Sequence, residues 1–177
     1  MYIIKNSKLK IQNYSGFTLI ELIIVIAILG VLATTLLMAV NPTDQYAKAI
    51  DAKRKSELSS IQKALESYYQ DNNGMYPLSD SEYRIQDANL GVINWGSSWG
   101  SYASVLPKEP ATGKKYAYYS PDGRSYYLYA SLDRKTDLDM CSNMVNGECA
   151  SLPSHNHTAC GASNTCDYGV SSPNVTP

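Results

Sequence analysis

The string Gly16-Phe17-Thr18-Leu19-Ile20-Glu21, followed by LIIVIAILGVLA at residues 22–33, governs how the rest of the chain is read. From Leu19 to Val40 the only ionisable side chain is Glu21. As a helix these 22 residues rise about 33 Å, enough to cross a hydrocarbon core of about 30 Å. A secretory signal would need an apolar core of only about 7–15 residues ending at a small-residue cut site. This run is longer, and its carboxylate lies near the front. A plain single-pass anchor fits the length but leaves Gly16, Phe17 and Glu21 as coincidence. The charges before Gly16 are all lysines (Lys5, Lys8 and Lys10), and a mixed-charge region follows the run. That asymmetry puts the amino end in the cytoplasm and the remainder outside.

Asn41-Pro42 should kink or interrupt the helix, because proline removes a donor and restricts the residue before it. Helical composition then resumes from Thr43 to Gln70, without Gly or Pro. Leu58, Ile61, Leu65 and Tyr68 recur at three- and four-residue steps and share one face, which must pack on something. Asp71-Asn72-Asn73-Gly74 ends the helix, and Tyr76-Pro77 opens an extended segment. Residues 78–104, with Trp95 and Trp99 among glycines and serines, read as a loop region with room for a short helix. Residues 116–120 and 125–130 are tyrosine-rich β-favouring runs, joined through Pro121-Asp122-Gly123-Arg124 as a hairpin. Tyr116, Tyr118 and Tyr126 read first as sheet packing; tyrosines on the opposite face could serve adhesion. An isolated hairpin is marginal in water, so the face of Leu58, Ile61 and Leu65 is its natural partner. The expected fold is α+β: a long amino-terminal helix, half membrane-spanning and half amphipathic, lying on a small antiparallel sheet in a lollipop-shaped subunit.

The division that follows is 1–16 as a leader, 17–42 as the membrane half of the helix, 43–140 as a head, and 141–177 as an irregular cysteine-containing region. Residues Ser171 to Pro177 read as a frayed tail. Losing the leader would leave 12 basic and 16 acidic residues, a net of −4, so there is no strong nucleic-acid signal. Lys114 and Lys115 alone make a poor footprint for DNA. Cys141, Cys149, Cys160 and Cys166 read as disulfides of an exported head, with three pairings open and Cys141–Cys149 plus Cys160–Cys166 the simplest. Zinc, with His155 and His157 between the pairs, is a weaker alternative because the spacings are C-x7-C and C-x5-C. There is no phosphate loop and no nucleophile and base set, so the chain is read as a non-enzyme.

The string from Gly16 to Glu21 with its apolar run closely resembles the cleavage and methylation signature of type IV prepilins and of type II secretion pseudopilins. The resemblance implies that a prepilin peptidase cuts between Gly16 and Phe17 and methylates the new amine. It also implies that Glu21 meets the terminal amine of a neighbouring subunit during assembly. The alternative for Glu21 is a solvated carboxylate at the membrane edge. A second resemblance, to the major pseudopilin layout, covers Tyr68-Tyr69-Gln70-Asp71-Asn72, Tyr76-Pro77, Leu106-Pro107-Lys108-Glu109-Pro110 and the hairpin ending in Ala130-Ser131-Leu132-Asp133.

In that family a loop after the last strands binds calcium, and the nearest counterparts here are Asp133, Asp137 and Asp139, whose oxygens suit a hard cation. The surroundings depart from the family pattern. Arg134 and Lys135 intrude, a small-residue stretch is missing, and the cysteine-rich tail is extra, so a solvated acidic turn is the slightly preferred alternative. No cofactor is required, and calcium is the one ion the resemblance suggests.

The sequence therefore reads as a structural subunit of a type IV pilus, polymerised with other pilin-like subunits. An assembly ATPase and a platform membrane protein are implied partners. Before assembly the chain would be single-pass in the inner membrane with its head periplasmic or extracellular; afterwards it would lie in a surface filament. The rivals are a pseudopilin of a type II secretion or DNA-uptake system, which the head favours, and a membrane-anchored binding module that never polymerises.

Overall fold

The computed structural model describes residues 16–155 and 157–177, apart from the side chains at 37–40; the leader lysines lie outside the described residues. The chain forms two compact units, one ending at Pro42 and the other beginning at Thr43.

In the first unit, α1 spans Leu19–Val40. Its first turn is closed by Thr18 and Glu21 in a reciprocal capping box. Within the run, the Thr34 and Thr35 hydroxyls donate to the carbonyls of Val31 and Leu32, each at 2.8 Å. Two polar groups are thereby satisfied inside the helix, as an apolar environment demands. Asn41 adopts the left-handed conformation at φ 45° and ends α1. Asparagine tolerates that region better than most residues, and Pro42 then takes the first position of α2, where its missing N–H costs nothing. The expected interruption thus falls between Val40 and Pro42.

Helix α2 spans Pro42–Asp71. Its stripe of Leu58, Ile61, Leu65 and Tyr68 is buried, as the spacing predicts. After Asp71 the chain turns through Asn73 and Gly74, both at positive φ.

Residues 78–93 depart from expectation. Instead of a loop with a short helix they form an antiparallel sheet of β1 (Leu78–Ser79), β2 (Ile85–Asp87) and β3 (Gly91–Ile93). These strands are too short for a period of two to show in sequence. Trp99 is buried nearby, with its indole N–H donating to the Asp87 carboxylate at 2.9 Å.

The second sheet contains the expected hairpin as β4 (Ala117–Tyr119) and β5 (Tyr127–Ala130). Pairing Ala117 with Tyr129 and Tyr118 with Leu128 sets the faces. Tyr118 and Leu128 join Tyr116, Tyr126 and the α2 stripe in one core. Ala117 and Tyr129, one residue away, turn to the opposite side.

What covers that opposite side is the cysteine-containing segment, which is not irregular throughout. Residues 144–149 make a hairpin, β6 (Met144–Val145) with β7 (Glu148–Cys149), across Asn146-Gly147 at positive φ. Strand β8 (Tyr168–Ser171) adds to β5, giving the order β4-β5-β8. Ser172, in the stretch read as a frayed tail, is buried, and its N–H donates to the Tyr126 carbonyl at 3.1 Å. The structure joins Cys141 to Cys149 and Cys160 to Cys166, so no thiolate is left for zinc. Cys149, Cys160, Cys166, Leu152 and Ala159 pack on Ala117 and Tyr129 as a second core. Gly161, at φ +108°, lies so close to the Gly113 backbone that a Cβ would overlap its carbonyl.

Each disulfide closes a loop of under ten residues, worth about 2 kcal/mol in the chain-entropy description. Reduction is therefore expected to lower the melting temperature of the head, followed by the near-ultraviolet signal of its tyrosines. An unchanged melt would mean that the second core holds without its sulfur bonds.

Candidate functional site

Two places in the described residues carry chemistry that packing alone does not explain. The first is the entry to α1. Gly16, Phe17 and Thr18 precede the first helical residue, and Thr18 is extended at φ −79° and ψ 150°. Phe17 is 92% exposed, and no described residue approaches within 4 Å of where a Cβ on Gly16 would stand. Among the described residues the Gly16–Phe17 bond is uncovered and precedes the first helical residue.

Four residues further on, Glu21 closes the capping box. Its Oε2 accepts from the Thr18 N–H at 2.9 Å and from the Thr18 hydroxyl at 2.8 Å, while its own N–H donates to that hydroxyl at 3.3 Å. Both bonds to the carboxylate end on one oxygen. Oε1 stays open to a further donor, so local capping does not use up the carboxylate. Around it, the leucine, isoleucine and valine side chains from Leu19 to Leu36 are more than half exposed. Burial is worth roughly 1.5–3 kcal/mol for each such side chain, so this helix demands lipid or other helices as cover. Leu19–Leu36 is long and apolar enough to cross a membrane.

The second place is a charged network where α2 meets the connection between β5 and β6. Arg54 is fully buried. Its Nε and NH2 donate to Glu109, NH1 donates to Asp51 at 2.6 Å, and NH1 also reaches Asp133 at 2.9 Å. Asp51 in turn accepts from the backbone N–H groups of Asp133 and Arg134, at 2.9 and 3.0 Å. Burial alone would disfavour the charge on Arg54, but its bonds to Glu109, Asp133 and Asp51 outweigh it and hold the pKa above the ordinary arginine value. Asp133 also receives Lys114 Nζ at 2.6 Å. Its burial opposes ionisation, yet Lys114 and Arg54 keep its carboxyl below the usual range.

One residue along α2, Lys55 Nζ lies 2.6 Å from Asp137 Oδ1 and 2.7 Å from Asp139 Oδ2. The bond from Lys55 lowers the pKa of Asp137. For Lys55 burial pulls downward, but the two carboxylates prevail and raise it.

Asp51, Arg54, Lys55 and Glu109 escape a reading of hydrophobic pattern because they are charged. A signal was nevertheless present. Asp51 and Arg54 extend the stripe of Leu58, Ile61, Leu65 and Tyr68 backward at the same three- and four-residue steps, placing charge on the buried face.

Residues 11–37 match the prokaryotic N-terminal methylation motif. The type II secretion system core protein G of Vibrio cholerae is 32% identical over 115 residues, covering 63% of this chain and 75% of that protein. The protein of the same name from Pseudomonas aeruginosa is 33% identical over 125 residues, covering 68% and 84%. The chain belongs to the family of type IV pilins and type II secretion pseudopilins. The type IV major alpha-pilin of Moraxella bovis is also similar to this pilin-family chain, 27% identical over 133 residues, covering 75% and 77%. No solved structure matches the chain.

The carboxylates that the family resemblance assigns to calcium are not gathered into one cage in this pilin-family head. Asp137 and Asp139 converge on Lys55, whereas Asp133 turns to Arg54 and Lys114. Among the described residues no three of His, Cys, Asp and Glu are grouped to hold a metal ion. A calcium site needs six to eight oxygens around one point. Here the oxygens are already shared among four cationic side chains, Lys55, Arg54, Lys114 and Arg134, so the donor set does not fit the ion.

Proposed function

We propose that this chain is a pseudopilin, a non-catalytic structural subunit cut between Gly16 and Phe17 by a prepilin peptidase and polymerised through α1 in a type II secretion system. The observation that carries the reading is the conjunction of two things in one chain. A Gly16-Phe17 junction uncovered among the described residues leads into an apolar helix with a single carboxylate, and the relatives that extend into the head include several named core protein G.

From sequence alone the pilus stands first, with the head favouring the pseudopilin and the cysteine-rich tail mildly favouring an exposed fibre. In the structure that segment supplies β8 and the second core of the head, so it serves folding and no longer favours a surface location. The likeness to the Moraxella bovis alpha-pilin supports the pilus as the second reading. In either case the inner membrane holds the subunit before assembly, with the head on the outer side. An ATPase and a platform membrane protein supply the work, since the described fold offers no site recognisable for it.

The first test is the mass of the amino-terminal peptide from cells that carry the peptidase. A peptide beginning at methylated Phe17 is expected; an intact leader, or a cut near the end of the apolar run, overturns the processing step. Deleting the gene then separates the two fibres. Loss of protein export with surface fibres intact is the pseudopilin outcome, and loss of the fibres themselves is the pilus outcome.

A further inference from the structure

We infer that the 133–139 loop of this head is closed by cations of the chain itself, with Lys55 in the role that the family resemblance gives to calcium, so that folding of the head does not depend on divalent ions. The inference does not rest on the type of fibre the subunit builds.

The loop follows β5 and is tied to α2 at four points. Asp44 accepts from Arg134 Nε at 3.2 Å, Asp51 accepts from two loop N–H groups, Arg54 holds Asp133, and Lys55 holds Asp137 and Asp139. These α2 residues fall on neighbouring turns of one helix, so the loop is laid along a rigid rail. A divalent ion could do the same work by drawing carboxylates together. Here an ammonium does it, with three donors free to rotate toward two carboxylates.

The fit around Lys55 is specific. Asp137 Oδ1, which takes the lysine, also accepts the Asp139 N–H at 3.0 Å, so the Asp137 carboxylate is tied to the loop backbone beside the second acid. The Tyr168 ring on β8 lies 5.4 Å from Nζ, within cation–π range. Lys55 therefore bridges α2, the loop and the last strand of the main sheet.

A calcium ion entering beside it would be repelled by the ammonium already in place, and the two carboxylate charges are met by Lys55 together with Arg134, whose NH1 lies 3.8 Å from Asp137. Asp133 adds nothing to such a site, because its two oxygens are divided between Lys114 and Arg54.

The experiment compares melting curves of the full processed chain in detergent, with chelator and with excess calcium, for the unaltered protein and for Lys55→Met and Lys55→Arg. The unaltered chain is expected to melt at the same temperature in both media, within about 1 °C. Lys55→Met is expected to melt roughly 3–8 °C lower, in line with the sensitivity of a domain this size to the loss of one partly buried ion-pair set. Lys55→Arg should recover most of that loss.

Hydrogen exchange gives a local readout: the Asp139 amide should exchange at least about tenfold faster in Lys55→Met, reflecting a loop that opens more often. A chelator-induced fall in the melting temperature of the unaltered chain, reversed by calcium, overturns the inference without reference to any variant. So does a Lys55→Met protein that melts and exchanges like the original.

Discussion

Replacing Arg54 by methionine is expected to cost the head about 3–5 kcal/mol. The guanidinium is fully buried, and its partners Asp51 and Glu109 are almost as deeply so. Methionine fills similar volume but leaves two carboxylates in the interior with no cation. Uncompensated burial of charge costs several kcal/mol after relaxation, whereas the intact pair breaks nearly even against apolar residues. A domain of this kind has only about 5–15 kcal/mol in total, so the variant should sit near the edge of folding. Denaturant titration of the detergent-solubilised chain would measure it through the midpoint at constant slope. A loss below about 1 kcal/mol would mean that water reaches Asp51 and Glu109 once the arginine is gone, and that the network is a surface feature in solution.

Glu21→Ala should leave insertion intact and abolish assembly. Removing a carboxylate from an apolar helix makes membrane entry easier, by up to about 2.5–3.5 kcal/mol at the bilayer centre and less near the interface, so the protein should accumulate as a membrane subunit. In the filament reading, Oε1 receives the amine created at Phe17 of a neighbour. An unmatched charge in such an interface costs about 2–5 kcal/mol, or more than tenfold in each subunit addition, which a polymer multiplies along its length.

The substitution also removes the capping box, and Thr18→Val serves as the control. It takes away both side-chain bonds made through Oγ1 while keeping the carboxylate. Cap loss alone costs about 0.5–2 kcal/mol, so Thr18→Val should still polymerise. Fibres of normal abundance from Glu21→Ala would return the carboxylate to the solvated role and revive the non-polymerising anchor.

How legible each part was depends on how long its physical pattern runs. The membrane helix announces itself over 22 residues, and the buried stripe of α2 over three turns. The hairpin of β4 and β5 is visible because tyrosines and turn residues alternate on a scale of several residues. Strands β1, β2, β3, β6 and β7 are two or three residues long, too short for any periodicity. One of them did carry a local signal: Asn146-Gly147 is the strongest two-residue hairpin turn there is, hidden by the polar, cysteine-punctuated composition around it. Pairing between β5 and β8 leaves no trace in local sequence, since it depends on what the intervening segment does. The charged network was obscured for another reason. Buried ions obey partners rather than patterns, and Arg54 and Glu109 lie 55 positions apart.

The place of β8 bears on how the molecule is made. Strand β5 leaves the ribosome with one long edge unsatisfied, and its second neighbour follows only about forty residues later, after Tyr168. Until then the main sheet is the two-stranded ribbon of β4 and β5, marginal in water, and the cystine layer has nothing complete to rest on. Until β8 emerges the head is therefore held back from its final form by its own topology. For a polypeptide whose first helix is bound for a bilayer, that delay leaves the segments between β5 and β8 slack while they are threaded.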